Sequence, residues 1–210
     1  MLFHSDSFRA TFTWINLCKD IKMTKRCSWP GNDPQYIDYH DKEWGVPLHD
    51  ERALFEFLCL ECQQAGLSWI TILRKRENYR KAFKNFEPEA VARMQDRTIE
   101  KLLLDPGLIR NRLKLYSIRS NAVAFLAIQK EFGSFSKYMW GFVNHKPIDG
   151  KRTGMGDIPA TSPESEAMSK DLKKRGFKFV GSTIVYAHMQ ATGMVNDHIR
   201  DCFRYEEVKR

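Results

Sequence analysis

The chain is expected to be all-α, on three observations. Apolar residues recur at helical spacing along most of its length, with no confident strand and no internal repeat. Helix-start chemistry sits where such stretches begin, as at Asp50 and at Ser162-Pro163. Two of the stretches, finally, are joined by a tight Pro-Gly turn at Pro106-Gly107.

Taken in order, Asp50 caps a helix over 51–65, and further helical patterns cover about 67–84, 88–94, 97–104, 111–130 and 135–144. Residues 145–163 hold Pro147, Gly150, Gly154, Gly156, Pro159 and Pro163, and read as a long surface loop on one edge. Ser162 then caps a helix with Pro163 at its first position, ending before Gly176, and helices near 181–193 and 196–203 follow. Residues 1–22 lack the apolar core of a signal peptide, and Met23 with Thr24-Lys25-Arg26-Cys27 makes a natural beginning. The expectation is a dispensable extension over 1–22, with Cys18 a bystander, then a single domain over 23–204 and a tail over 205–210.

With 210 residues the chain can bury a sizeable core. Its formal charge of +8 favours a polyanionic partner. Five cysteines without a framework spacing argue against a disulfide scaffold and fit a reducing cytoplasm. No apolar run is long enough to span a bilayer, and nothing suggests an interface, so a cytoplasmic monomer is expected.

Cys27, His40, His198 and Cys202 form the Cys2His2 set that tetrahedral zinc favours. His198 and Cys202 are four residues apart, so on a helix they share a face. One ion there would clip the N-terminal segment onto the C-terminal helix. With four protein ligands no position stays open for water, so the zinc is expected to be structural.

On the helix from 51 the apolar face runs Leu54, Phe57, Leu58 and then reaches Glu61. A buried carboxylate must be hydrogen-bonded or line a cavity, because leaving it unpaired costs several kcal/mol, roughly. Gln63-Gln64-Ala65-Gly66-Leu67-Ser68-Trp69 follows, with a glycine that lets backbone approach a ligand. Trp29, Tyr36, Tyr39 and Trp44 crowd the stretch around His40. With Trp69 they suit a pocket stacking on a flat, cationic ligand, two or three of the five rings touching it. The third element, Leu102 to Arg110, reads as a helix–hairpin–helix near 97–125. Its second helix starts with amide N–H groups and a dipole that favour an anion, and Arg110, Arg112, Lys114 and Arg119 add charge. A DNA phosphate is the natural ligand.

Together these segments resemble the DNA-3-methyladenine glycosylase I family of helix–hairpin–helix glycosylases, from about Lys25 to Cys202. The resemblance is strongest in RCSW at 26–29, YIDYHDKEWGVP at 36–47, LECQQAGLSWITILRKRENYR at 60–80 and SKDLKKRGFKFVGSTIVYAHMQATGMVNDH at 169–198. It implies base excision from double-stranded DNA containing alkylated adenine, by flipping the base and hydrolysing its N-glycosidic bond. It implies structural zinc on Cys27, His40, His198 and Cys202, Glu61 as the base-contacting acid, and Trp29, Tyr36, Tyr39, Trp44 and Trp69 as pocket rings. Gln64, Gly66 and Leu67 would enter the gap left in the duplex, while Gly107 and Arg110 would lie at the phosphate-binding hairpin. The hairpin departs from the related Leu-Pro-Gly-Val-Gly pattern, having Asp-Pro-Gly-Leu-Ile. Residues 106–148 contain no Asp, and Asn111 stands where bifunctional relatives carry a nucleophilic lysine. A monofunctional enzyme without lyase activity is therefore expected. The competing expectation is a catalytically inactive, zinc-stabilised helix–hairpin–helix DNA-binding protein.

Overall fold

A computed structural model describes residues 25–209; the extension expected over 1–22, with Cys18, lies outside the described residues. The described chain is mostly helical, as expected. The helices are α1 (Pro34–Lys42), α2 (Glu51–Gln64), α3 (Trp69–Leu73), α4 (Arg76–Ala82), α5 (Pro88–Ala92), α6 (Asp96–Leu102), α7 (Arg112–Phe132), α8 (Phe135–Gly141), α9 (Pro163–Lys174), α10 (Ser182–Ala191) and α11 (Arg204–Glu207).

Local chemistry explains most boundaries. Asp50 accepts the Ala53 N–H at the start of α2, and Asn111 accepts that of Lys114 at the start of α7. Ser162 and Ser165 cap each other reciprocally at the start of α9, where Pro163 has no N–H to waste. The side chain of Asp33 accepts from Tyr36 N ahead of Pro34 and so starts α1, a helix the aromatic spacing had not disclosed.

Several expectations are corrected. The pattern over 67–84 is two helices, because the chain turns at Arg74-Lys75. No helix covers 196–203: β2 (Val195–Asn196) pairs in parallel with β1 (Ile148–Asp149), so two short strands exist where none was expected. Turns then carry the chain to α11, closed by Cys202 N–H to Ile199 O (2.8 Å) and by Phe203 N–H to Lys25 O (2.9 Å). Pairing with distant chain outcompetes the helical period there. The 145–163 loop accordingly contains β1 and a 3-10 turn at Met155–Asp157. The segment expected as a tail begins inside α11, where Tyr205 and Val208 are buried.

Helix α2 is the axis of the fold. From Leu54 to Gln63 every residue is buried, packed against α7, α10, α3 and α8. Phe55 meets Phe125 of α7 at 5.1 Å between ring centres. A helix enclosed on all sides carries its polar residues into the interior with it. Glu56 is neutralised there by Arg80, whose guanidinium donates to it at 2.6–3.1 Å. A smaller cluster, built on Cys27, Tyr39, Trp44, Phe57, Leu73, Ala191 and Cys202, packs beside the main core.

Candidate active site

The smaller cluster walls a cleft of about 360 Å³, lined by Trp29, Tyr36, Tyr39, Trp44, Glu61, Gln64 and Trp69 together with Met155, Ile158, Ala187 and Gln190. All five expected rings and the expected acid therefore meet. Helix α1 supplies Tyr36 and Tyr39 and is tied to α3 by Gln35 Nε2 donating to Leu73 O at 3.3 Å. Trp29 packs edge-on against Tyr36 (4.7 Å) and Trp44 (5.2 Å), and Trp69 lies 5.5 Å from Tyr39. The indole N–H groups of Trp29 and Trp69 are buried without an acceptor among the described residues. They are unspent donors at the cleft wall.

Glu61 is 4% exposed. Among the described residues no basic side chain pairs with it, in contrast to Glu56 one turn earlier. Burial alone pushes its carboxyl up from 4.5 to about 8. Burial also raises Tyr39 well above its ordinary range, with the Glu61 charge adding to the effect. The cleft thus holds an uncompensated acid inside aromatic walls, an electrostatic complement to a flat cation.

The polypeptide leaves α2 through Gly66 at φ +76°, where a Cβ would meet nothing within 4 Å. Leu67 follows, 39% exposed. Gln64 Nε2 donates to Leu67 O at 2.8 Å, closing the turn over the cleft rim.

The metal-ligand candidates converge as well. One ligand atom from each of Cys27, His40, His198 and Cys202 lies within 4.8 Å of every other, and all four residues are buried. The cluster can hold a metal ion. Cys202 Sγ lies 3.5 Å from His40 Nε2 and 3.6 Å from His198 Nδ1, and Cys27 Sγ lies 3.7 Å from the latter. Each imidazole is oriented from behind. His40 Nδ1 meets Asp41 Oδ1 at 2.7 Å, with Asp41 gripped by Arg26, and His198 Nε2 meets Trp44 O at 3.1 Å. Such partners fix which nitrogen faces the centre. His198 and Cys202 reach it from a turn rather than from one face of a helix, correcting the expected route. Gly45 permits the approach: its φ is +81°, and a Cβ there would sit 2.8 Å from His198 Nε2. Cleft and cluster share walls, since Trp44 packs 4.6 Å from His198 and Trp29 packs 5.2 Å from His40.

The hairpin between α6 and α7 is present, with its amides partly spent. Gly107 N–H donates to Asp105 Oδ1 at 2.7 Å, and Ile109 N–H to the Tyr79 hydroxyl at 3.1 Å. At the start of α7 the N–H groups of Arg112 and Leu113 have no intrahelical partner, as at any helix N-terminus. The expected basic face is thinner than its sequence. Arg112 pairs with Glu100, Arg119 with Asp96, and Lys114 is buried. Arg110 is exposed.

The sequence reading missed Met155, Ile158, Ala187 and Gln190. Ala187 and Gln190 lie within the 169–198 string, whereas no local signal marked the two loop residues. Gln190 donates to Asp197 at 2.8 Å, and Asp197 also binds Arg152 (2.8 Å) and the Tyr186 hydroxyl (2.6 Å). This buried network anchors the 150–158 loop against α10.

Comparison with known proteins agrees with this geometry. A family profile described as methyladenine glycosylase matches residues 29–205. The chain is 52% identical over 181 residues to DNA-3-methyladenine glycosylase 1 of Escherichia coli (strain K12), covering 86% of this chain and 97% of that protein. It is likewise 52% identical to a DNA-3-methyladenine glycosylase of Haemophilus influenzae, over 86% of this chain and 97% of the relative. A crystal structure of a 3-methyladenine DNA glycosylase I superposes with a TM-score of 0.84 at 54% identity, covering 85% of this chain and 98% of that one. A Staphylococcus aureus 3-methyladenine DNA glycosylase I, solved to explain 3-methyladenine recognition, gives 0.83 at 43% identity, over 86% of this chain and 96% of that one.

Proposed function

The chain belongs to the methyladenine glycosylase family and is an N-glycosyl hydrolase that releases 3-methyladenine from alkylated DNA in base-excision repair; from that premise we propose that Glu61 is the acid that selects the lesion. The observation that carries this is a carboxyl buried among five aromatic rings with no basic partner among the described residues. Methylation at N3 makes the base cationic in DNA, so the cleft offers it what a neutral purine cannot use: a charge partner in a poorly solvated place. The cation in turn favours the ionised form of Glu61. The rings stack on its faces and exclude water.

The same cation explains how little else the chemistry needs. The C1′–N9 bond breaks with its electron pair going to the base, which leaves neutral and needs no protonation. Water adds at the oxocarbenium-like C1′ and loses a proton. Flipping costs a few kcal/mol, roughly, and less for a poorly stacked lesion. Leu67, on the turn closed by Gln64 and opened by Gly66, fills the vacated stack as an apolar wedge. The α6–α7 hairpin, with Gly107 in its turn and Arg110 beside it, holds the backbone of double-stranded DNA through the first amides of α7. A monofunctional reaction without lyase activity fits the absence of a lysine at Asn111 and the sequestration of Lys114 inside the protein. The proposed single domain of helix–hairpin–helix type runs past 204 to take in the buried Tyr205 and Val208, and the protein is proposed to be monomeric and cytoplasmic. Among the described residues no helix is long and apolar enough to cross a membrane.

For the metal cluster the proposed ion is structural zinc, joining the N- and C-terminal segments. A tetrahedral zinc at about 2.3 Å from sulfur and about 2.05 Å from nitrogen places those ligand atoms about 3.6 Å apart. The sulfur–nitrogen separations of 3.5–3.7 Å match. The donor set, two thiols and two imidazoles, is zinc's own, and it leaves no open position.

Glu61→Ala tests the central assignment. Free 3-methyladenine binding and single-turnover excision from methylated duplex both fall sharply if Glu61 holds the base; wild-type excision by the variant refutes it.

A further inference from the structure

Lys114 has the makings of a DNA-binding residue by sequence, standing among Arg110, Arg112 and Arg119. The structure turns it the other way. It is 6% exposed, and its Nζ donates to Gln63 O and Ala65 O, both at 2.7 Å, at the C-terminal end of α2. Gln63 answers by donating Nε2 to Lys114 O at 2.9 Å. A second strand of contacts runs alongside: the Tyr79 hydroxyl donates to Gln63 Oε1 at 3.3 Å and accepts from Ile109 N–H of the hairpin at 3.1 Å. At its own backbone N–H, Lys114 is held by Asn111, the cap of α7.

A helix end needs its last carbonyls satisfied and favours a cation. The left-handed Gly66 does not serve these carbonyls: α2 ends at Ala65 with ψ 116°, the turn closes by Leu67 N–H to Gln64 O at 2.6 Å, and Lys114 is the partner of Gln63 O and Ala65 O. A buried ammonium brought from 49 residues away is costly to desolvate, so carbonyl satisfaction alone does not account for it. What it adds is registration. The residues it joins, 63 and 65, lie immediately before the Gly66-Leu67 turn, and the residues that hold it belong to the hairpin and the first turn of α7.

We infer that Lys114, with Gln63 and Tyr79, is a positioning residue that couples the phosphate-binding hairpin to the Leu67 wedge. Docking of the DNA backbone on the hairpin then sets the height at which the wedge meets the base stack. This rests on the wedge and hairpin roles given under the proposed function. It predicts a defect in flipping and not in the base cleft, since Lys114 is no part of the cleft lining.

The experiment compares Lys114→Met and Tyr79→Phe with the wild-type protein, measuring free 3-methyladenine affinity by tryptophan fluorescence and kcat and KM on methylated duplex. Lys114→Met is expected to lose about tenfold or more in kcat, the scale of one charge-assisted hydrogen bond, with KM and free-base affinity within about twofold. Tyr79→Phe should lose kcat in the same selective way by a smaller factor. Unchanged kcat in both variants, or a fall in free-base affinity equal to the fall in kcat, overturns the coupling. Should Lys114→Met not fold, Tyr79→Phe decides by the same criteria. Leu67→Ala, run alongside, separates the two layers. A defect there with normal Lys114→Met and Tyr79→Phe overturns the coupling alone, whereas normal excision by Leu67→Ala overturns the wedge reading on which it stands.

Discussion

Replacing Glu61 by Gln keeps the shape of the side chain and deletes its charge, so it isolates what burial of the acid does to the protein. The wild-type carboxyl is pushed from 4.5 to about 8 by burial. In the unfolded chain it ionises near 4.5; in the folded protein it keeps its proton until about 8. Between those values the folded state binds the extra proton, so stability falls as pH rises across the window. At 1.36 kcal/mol per pH unit, the cost is nil below the lower value, about 3 kcal/mol at pH 7 and about 5 kcal/mol above pH 8. Glu61→Gln removes that cost. Denaturant unfolding should show the two proteins within about 1 kcal/mol of each other near pH 4, with the variant gaining from about pH 4.5 and the difference levelling off above about 8. Catalysis should trend oppositely. Only the ionised carboxylate partners a cationic base, so wild-type kcat/KM on methylated duplex should climb through neutral pH and level off near 8, and the variant should be poor and lack this titration. Equal unfolding free energies near pH 9 would refute the claim that Glu61 is a buried acid without compensation.

Other outcomes follow from the same geometry. On the proposed zinc assignment, Cys202→Ser should lower metal content by atomic absorption and unfold with several kcal/mol less stability, roughly, because metal affinity is linked to folding; unchanged metal content and Tm would remove the site. Gly45→Ala places a Cβ 2.8 Å from His198 Nε2, inside contact distance, at a left-handed backbone costing about 1–2 kcal/mol by itself. Reduced denaturation midpoint and weaker retention of metal against a chelator are expected. Arg110→Ala should weaken binding to duplexes of any sequence and reduce the slope of log K against log salt by about 1; a slope equal to wild type would show that Arg110 meets no phosphate.

Much of this protein is written in short-range signals. Asp50, Ser162 and Pro163 start helices wherever they are placed before apolar periodicity, because a cap acts through neighbours three residues away. The five rings, Glu61 and the four metal-ligand candidates were legible from residue type and from the strings that carry the family resemblance. Nothing local, however, tells that Arg74-Lys75 breaks a helical pattern, or that Met155 and Ile158 face the cleft.

The chain order alone determined the helical class, the acid, the aromatic wall and the Cys2His2 set. Tertiary structure decided where they sit and what surrounds them. His198 and Cys202 do approach one centre, yet on turns held by β1–β2 pairing and by Phe203 bonding to Lys25, contacts that span more than forty residues. Lys114 changes from an apparent phosphate ligand to an interior clasp on α2. The acid strength of Glu61 likewise belongs to the fold, since desolvation comes from packing on all sides of α2 and no stretch of sequence carries it. Residue identity sets which groups are available; the surrounding dielectric and the hydrogen bonds between remote segments set their direction and charge.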